Sequence, residues 1–469
     1  MYASAPYRHA PAALQSALIG LRGAMRQAMR EGDLCRRHAE ELARTERFGQ
    51  EALANWQREQ LHRSWLALRR TPFGAGLPAP PSPRALAKDW AAAWQALPIL
   101  DRPQVAKLGT ALCTPAGPWW QSANWRFGSQ TSGSSGAPLR LVGTRDSVSR
   151  EQALVRRQMQ WAGWRPSDRR AWLRGDLVHP VDRLDGPFWR DSASERMRYF
   201  SSYHLSDATL EAYVRALQDW DPVLIQAYPS SLALLAQALR ARGRSYEGRG
   251  LRGLMTSSET LGEGERAVIE QVFGVRVSDW YGQTERVAAI GQCEHGSLHV
   301  IEDYGFVEWL PREDGLFELV GSAFGNEAMP LLRYATGDLV ELLPEEAPPC
   351  PCGRAFRRVR RVLGRQDDVV HLPDGRRIGR LDGIFKDLQG LLEWQIRQER
   401  VEEIEILYVL PDGAADFDEA RMERAARERL GAGIGLRIRR VPRIQRTRAG
   451  KLRGVVCLVG KAAGAEGAR

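Results

Sequence analysis

No uninterrupted apolar stretch of about 18 residues, the length that a membrane-spanning helix requires, occurs in this 469-residue chain. Its first residues, Met1-Tyr-Ala-Ser-Ala-Pro-Tyr-Arg-His9, lack the apolar run of a secretory leader. These two absences lead to the expectation of a cytoplasmic protein without a membrane partner. Cysteine is scarce: six residues in a chain of this length cannot staple a small secreted scaffold, and they fit a reducing compartment. Internal repeats, an arginine-rich tail, nucleic-acid-type zinc-finger spacing and an RNA-recognition signature are also missing.

What is present suits a folded protein. Apolar residues make up 43%, enough for buried cores, and charged residues 26%, too few for a disordered polyelectrolyte. The net charge of +10 is dispersed, mostly as arginine, and fits nucleic acid, a membrane surface or a phosphorylated small molecule as well as an ordinary solvated surface. A basic nucleic-acid-binding protein is therefore the alternative of a different class, although no nucleic-acid partner is expected. The length asks for two or more domains of roughly 100 to 200 residues each.

The pattern along the chain predicts an α/β fold in three parts. Residues 1–84 read as a helical N-terminal extension packed on the main domain: Leu14, Leu18, Leu21 and Met25 recur at helical spacing, and a charged stretch carries Leu42, Phe48 and Leu53 on its apolar side. The break at Pro78-Ala-Pro-Pro-Ser-Pro83 ends it. Residues 85–366 read as a large layered α/β domain. In it Ser206 and Asp207 open a helix stopped at Asp221-Pro222, strands cover 223–227, 251–255 and 275–280, and Thr260 with Glu263 forms a capping box. Residues 367–469 read as a small mobile α+β domain, with a hairpin around Pro373-Asp-Gly-Arg376, strands at 401–410 and 436–441, and a helix at 418–430.

Five segments carry chemistry. Thr131-Ser-Gly-Ser-Ser-Gly136-Ala-Pro138 offers hydroxyls and unobstructed amides that can surround phosphate oxygens, though taken alone it reads as a glycine–serine turn. It is no Walker A loop, because Ser134 stands where the lysine must be. Tyr281-Gly-Gln-Thr-Glu285 supplies an aromatic face for a purine and a carboxylate suited to Mg2+, and a plain strand-end turn fits it too. In Arg333-Tyr-Ala-Thr-Gly-Asp338 the aspartate suits two ribose hydroxyls; Gly364-Arg-Gln-Asp-Asp368 and a late Gly450-Lys451 follow. The motifs after residues 255 and 280 lie past the carboxyl ends of expected strands, where open α/β sheets place ligands.

In this order, and with Leu97-Pro-Ile-Leu100 and Tyr228-Pro-Ser-Ser231, the segments resemble the adenylate-forming superfamily, and within it the phenylacetate–CoA ligase and coenzyme F390 synthetase, or CapK-like, branch. The resemblance runs over roughly residues 95 to 456. It implies an acid–thiol ligase that uses ATP and Mg2+ to turn a carboxylic acid into an acyl-adenylate, releases pyrophosphate, and passes the acyl group to a thiol, expected to be CoA. Thr131, Ser132, Gly133, Ser134, Ser135 and Gly136 would hold the β- and γ-phosphates. Ser258, Glu259, Asp279, Tyr281 and Gly282 would line the adenine site, Thr284 would touch the α-phosphate, and Glu285 would hold Mg2+. Asp338 and Arg365 would bind ribose, Asp367 would be the hinge, and Lys451 would bridge carboxylate and α-phosphate. The loop continues as Ala137-Pro-Leu-Arg140, without the lysine that many acyl-CoA synthetases carry there.

Trp119, Trp120, Trp125, Trp161 and Trp164 suggest an aromatic acid, and equally serve packing. Within the same fold the acceptor could be an amine, a carrier protein, or none, with AMP itself transferred; monomer and homodimer both stay open. Finally, Cys350-Pro-Cys352 and Cys293-Glu-His295-Gly-Ser-Leu-His299 bring three sulfurs and an imidazole that would close a structural Zn2+ site, with His299 the better fourth ligand and His295 the reserve; free cysteines in a turn are the other reading.

Overall fold

The computed structural model describes residues 5–459 apart from 86, 119, 131–138, 207, 260, 313–314, 364–369, 379–380, 386–387, 389–390, 392, 411–416, 443 and 445–453. A twelve-stranded sheet organises the larger part. At its centre the strands Met197–Ser201, Arg170–Arg174, Leu224–Ala227, Gly253–Ser257 and Val277–Gly282 run parallel, in that spatial order. Beyond Val277–Gly282 the sheet turns antiparallel through Ala289–Gln292, Leu298–Val300, Arg358–Val362, Tyr334–Leu342, Phe317–Ala323 and Gly305–Pro311. The α/β class expected from the alternating pattern is what the chain adopts.

Strand alternation decides what lies on each face. Ala171 and Leu173 join Leu210, Leu217, Leu232, Leu235 and Ile269 in a core under the helices Leu210–Trp220, Pro229–Ala241 and Glu263–Phe273. Arg170, Trp172 and Arg174 point to the opposite side, which is covered by the helices Ala12–Arg30 and Arg145–Trp161. The helix Asp33–Thr45 is anchored by a buried pair: Arg157 gives Asp303 two bonds of 2.6 and 2.8 Å, and Thr45 donates to the same carboxylate at 2.7 Å.

A separate four-stranded sheet, ordered Gly435–Arg440, Glu403–Val409, Glu393–Arg400, Val455–Cys457, is backed by the helix Glu419–Leu430. Its core of Trp394, Ile396, Ile404, Ile406 and Met422 also takes in Val181 and Tyr203 of the large unit. Asp418 caps the helix by accepting from the Arg421 amide at 2.8 Å. The expected hairpin forms, with Val370–His371 paired to Arg377–Ile378.

Three local expectations are corrected. The helix expected from Ser206 starts at Leu210, because Thr209 Oγ1 accepts from the Ser206 amide and donates to the His204 carbonyl, holding a turn there; Asp207 is outside the described residues. The helix after it in the motif region starts at Glu263, with Glu265 rather than Glu263 reaching back, to the Gly262 amide at 3.2 Å; Thr260 is also outside the described residues. In the helix Ala12–Arg30 the stripe of Leu14, Leu21 and Met25 is exposed, at 52%, 60% and 62%, while Gln15, Ile19 and Gly23 are buried. Polar partners decide that orientation: Gln15 donates to the Tyr7 carbonyl and accepts from Arg190.

Candidate active site

The strand Gly253–Ser257 delivers Ser258 at its carboxyl end with φ 75°, a left-handed conformation uncommon outside glycine and maintained by surrounding structure. Next to it, Val277–Gly282 splits its side chains by alternation. Gly282, Thr284 and Ser258 line one cavity of about 410 Å³, together with Trp280. Asp279 and Tyr281 face the other way. Asp279 accepts from Thr256 Oγ1 at 2.7 Å, and burial pushes its carboxyl above the usual range against that bond.

Tyr281 donates to Asp338 Oδ2 at 2.7 Å, so two segments far apart in the chain meet through this hydrogen bond. Burial and the nearby Asp338 carboxylate raise the phenol well above its ordinary value, so it stays a donor. Asp338 follows Gly337, whose φ of 74° turns the backbone; the Asp338 amide donates to Thr336 Oγ1 at 3.1 Å and the Gly337 amide to Glu318 at 3.1 Å. Arg333, which opens this segment, is structural: it makes two bonds to Glu308 and donates to the Leu97 carbonyl at 2.7 Å. Leu100 bridges Tyr334 in parallel, tying the early motif to the later one.

Glu285 is buried, accepts from Tyr334 at 3.0 Å and lies 3.9 Å from Arg102. Its carboxylate is thus fixed in place beside Thr284, an arrangement that suits a divalent cation. Glu259 follows Ser258 just outside the cavity lining. Thr131, Ser132, Gly133, Ser134, Ser135, Gly136, Arg365, Asp367 and Lys451 lie outside the described residues; the strands Arg126–Gln130 and Arg140–Thr144, paired antiparallel, flank the first six.

The other side of the cavity was not legible beforehand. The N-terminal helix contributes Arg26, Gln27, Arg30 and Glu31, and the strand Arg170–Arg174 adds Arg170, Trp172 and Arg174. The signal available was the Arg-x-Trp-x-Arg alternation, which marks a polar face of a buried strand. Gly23 allows the helix to approach: a Cβ there would sit 2.6 Å from Glu195 Oε2 and 2.8 Å from Ser192 Oγ. None of the described tryptophans singled out as aromatic-acid contacts lines this cavity. Trp120 and Trp125 are exposed, Trp164 is core, and Trp161 packs against Arg157 and Arg354; Trp119 is outside the described residues.

On the antiparallel half of the sheet, Cys293, His299, Cys350 and Cys352 converge with all ligand atoms within 4.8 Å of one another. The Sγ atoms of Cys293 and Cys350 are 3.7 Å apart, and Cys352 Sγ lies 3.4 Å from His299 Nε2. A tetrahedron with metal–ligand bonds of about 2.0 to 2.3 Å has edges of roughly 3.3 to 3.8 Å, so the donor set and these two spacings fit zinc. His299 Nδ1 lies 3.1 Å from the Phe356 carbonyl, and donation there leaves Nε2 facing the sulfurs. His295 stands apart from the four. Arg354, just past Cys352, binds Glu294 at 2.8 Å and Glu46 at 2.6 Å, joining this knuckle to the N-terminal helices.

A parallel-centred sheet, a cavity at the carboxyl ends of its strands and a small second α+β unit set the architecture against which known proteins can be compared. The solved structure of 2-hydroxyisobutyryl-CoA ligase, bound to 2-HIB-AMP and CoA in the thioesterification state, has the same fold: TM-score 0.54 at 18% identity, covering 88% of this chain and 91% of that one. A family model, the CapK C-terminal domain, matches residues 371–457. Phenylacetate-coenzyme A ligase of Thermus thermophilus is 29% identical over 51% of this chain and 54% of its own length, and Protein CapK of Staphylococcus aureus 23% identical over 69% and 72%. The aligned region thus spans about half the length of the phenylacetate ligases. In sequence the chain is thus similar to phenylacetate-coenzyme A ligases and to Protein CapK. Among the described residues no helix is long and apolar enough to cross a membrane.

Proposed function

We propose that this protein is an AMP-forming acid–thiol ligase: ATP and a carboxylic acid give an acyl-adenylate and pyrophosphate, and CoA then takes the acyl group. The observation that carries the reading is the gathering of Ser258, Gly282 and Thr284 at one cavity beyond the parallel strands, with Glu285 fixed beside them. In the first step a carboxylate oxygen attacks the α-phosphorus, forming a C–O–P link as the bond to pyrophosphate breaks. Two anions meet there, and fixed positive charge lowers the barrier. Thr284 would hold the α-phosphate, Glu285 would hold Mg2+, and Lys451 would neutralise both reacting groups. When bound, Mg2+ supplies charge neutralisation at the phosphates.

The first loop, Thr131 to Gly136, would hold pyrophosphate, and Ser258, Glu259, Asp279, Tyr281 and Gly282 the adenine. Asp338, already oriented by Tyr281, would take ribose with Arg365. Domain motion about Asp367 would let one cavity serve both steps, with residues 1–84, 85–366 and 367–469 as the three parts. We also propose a structural Zn2+ on Cys293, His299, Cys350 and Cys352; the set is closed, leaving no position for water, so it would hold the fold rather than react. ATP–pyrophosphate exchange over a panel of acids, followed by mass spectrometry with CoA, tests the ligase reading. Acid-dependent exchange and an acyl-CoA product are expected; no exchange with any acid would end it.

A further inference from the structure

We propose that the acid this protein activates carries a second anionic group, received at the floor of the cavity by Arg170, with Arg30 of the cavity wall adding positive charge. This rests on the ligase reading and names its substrate class.

Register places Arg170 at depth. Arg170 pairs with Leu224, which pairs with Gly253, while Ser257 lies four residues further along the strand, about 13 Å at 3.3 Å per residue. Ser258, Gly282 and Thr284 therefore rim the cavity at the carboxyl ends of the strands, and Arg170 lies below them. An acid presenting its reacting carboxylate near Thr284 points its far end at Arg170.

The charges around that floor do not cancel. Five arginines and three glutamates line the cavity. Glu195 is taken by Arg26 and by the Tyr199 hydroxyl at 2.7 Å; Glu31 is taken by Arg156 at 2.9 Å; Glu151 accepts from Tyr304 and lies 4.0 Å from Arg286. Arg170 is left with neutral partners, Gln226 Oε1 at 3.0 Å and Met159 Sδ at 3.4 Å, and its Nε is buried with no acceptor. Arg30, an exposed residue at the end of its helix, lines the same cavity; Glu151 and Glu195 act on it only at a distance, with no side-chain hydrogen bond or ion pair to it among the described residues. A partly enclosed guanidinium with an orphaned donor is costly unless an anion completes it. A neutral acid would leave that cost standing, whereas a distal carboxylate or phosphate would remove it, and two guanidiniums favour such planar or tetrahedral oxyanions.

The test pairs acids that differ only in the distal charge: adipate against hexanoate, 4-carboxyphenylacetate against phenylacetate, and a phosphonate-bearing acid to separate carboxylate from phosphate. In pyrophosphate exchange the charged member of each pair is expected to have at least tenfold higher kcat/KM. Arg170→Gln is expected to raise its KM tenfold or more and leave kcat, and the neutral acid, nearly unchanged; Arg30→Gln should do the same more weakly and serves if the first variant fails to fold. Preference for the neutral acids, or equal loss for both members in either variant, would overturn the proposal while leaving the ligase reading intact. Thermal shift without ATP separates the two failures: stabilisation by the diacid that either substitution abolishes supports the anion site even if no acid supports exchange.

Discussion

Two polar clusters sit on the two halves of the same sheet and are built on opposite terms. The Cys293–His299–Cys350–Cys352 group converges, its members within 4.8 Å of each other and the histidine oriented by a backbone carbonyl. The arginines of the cavity diverge: among the described residues Arg170 and Arg30 form no ion pair, while the neighbouring glutamates are held by other partners. The first set would be completed by one small cation, as proposed, with no position left for turnover. The second is incomplete and open, as the proposed ligase site would have to be to release its product. The difference separates structural from working polarity more sharply than residue type does, since both sets contain reactive or charged side chains.

The largest expected effect would break that comparison on its closed side. Purified protein should hold about one zinc per chain, and Cys350→Ser or a strong chelator should remove it and lower the melting temperature by roughly 10 °C. Arg354 binds both the knuckle's Glu294 and Glu46 at the end of an N-terminal helix, so the loss should spread to that docking and expose residues 33–69 to proteolysis. Unchanged melting with metal absent would make the cluster four ordinary side chains in a turn.

On the open side, Lys451→Ala should cut adenylate formation on the order of a hundredfold or more and spare thioester formation from a supplied acyl-adenylate. Equal loss of both half-reactions would remove the lysine from its proposed role. A smaller effect should follow from Asp338→Asn: KM for ATP rises about tenfold, from one weakened charged hydrogen-bonding group, with melting almost unchanged. A large loss of stability instead would mean that the Tyr281–Asp338 bond holds the sheet rather than preparing a ribose site.

These contrasts also explain what could be read early. The cysteine cluster was legible because few side chains can bind zinc, and their types mark it even when the ligands are over fifty residues apart. The parallel strands and their motif-bearing ends were legible because apolar runs bounded by turn residues carry local information: Leu224–Ala227 and Gly253–Ser257 fall within two residues of expectation. The role of the N-terminal helix was not. Its orientation depends on Gln15, Gly23 and Arg26 meeting Arg190, Ser192 and Glu195, all distant in sequence, and these outweigh the burial that Leu14, Leu21 and Met25 would gain. An apolar stripe names a helix but not the face it buries.

The smallest expected effect concerns a third arrangement, a titratable group kept neutral inside the core. His204 is buried, stacked on Phe188, with Nδ1 2.8 Å from Ser201 Oγ and Nε2 3.1 Å from the Pro180 carbonyl. Burial, followed by the positive charge of His179 and Arg376, lowers its pKa from 6.5 to about 3. The unfolded chain therefore binds a proton that the folded one refuses. This stabilisation is complete above pH 6.5 and fades as pH falls toward 3, reaching a loss of about 2 kcal/mol near pH 5. His204→Gln keeps one donor and one acceptor but cannot titrate. Its melting curve should run slightly below that of the parent at pH 7.5 and close on it, or cross it, by pH 5. Parallel curves would mean that the imidazole is charged in the folded protein, and that its neighbours include an acceptor for that charge.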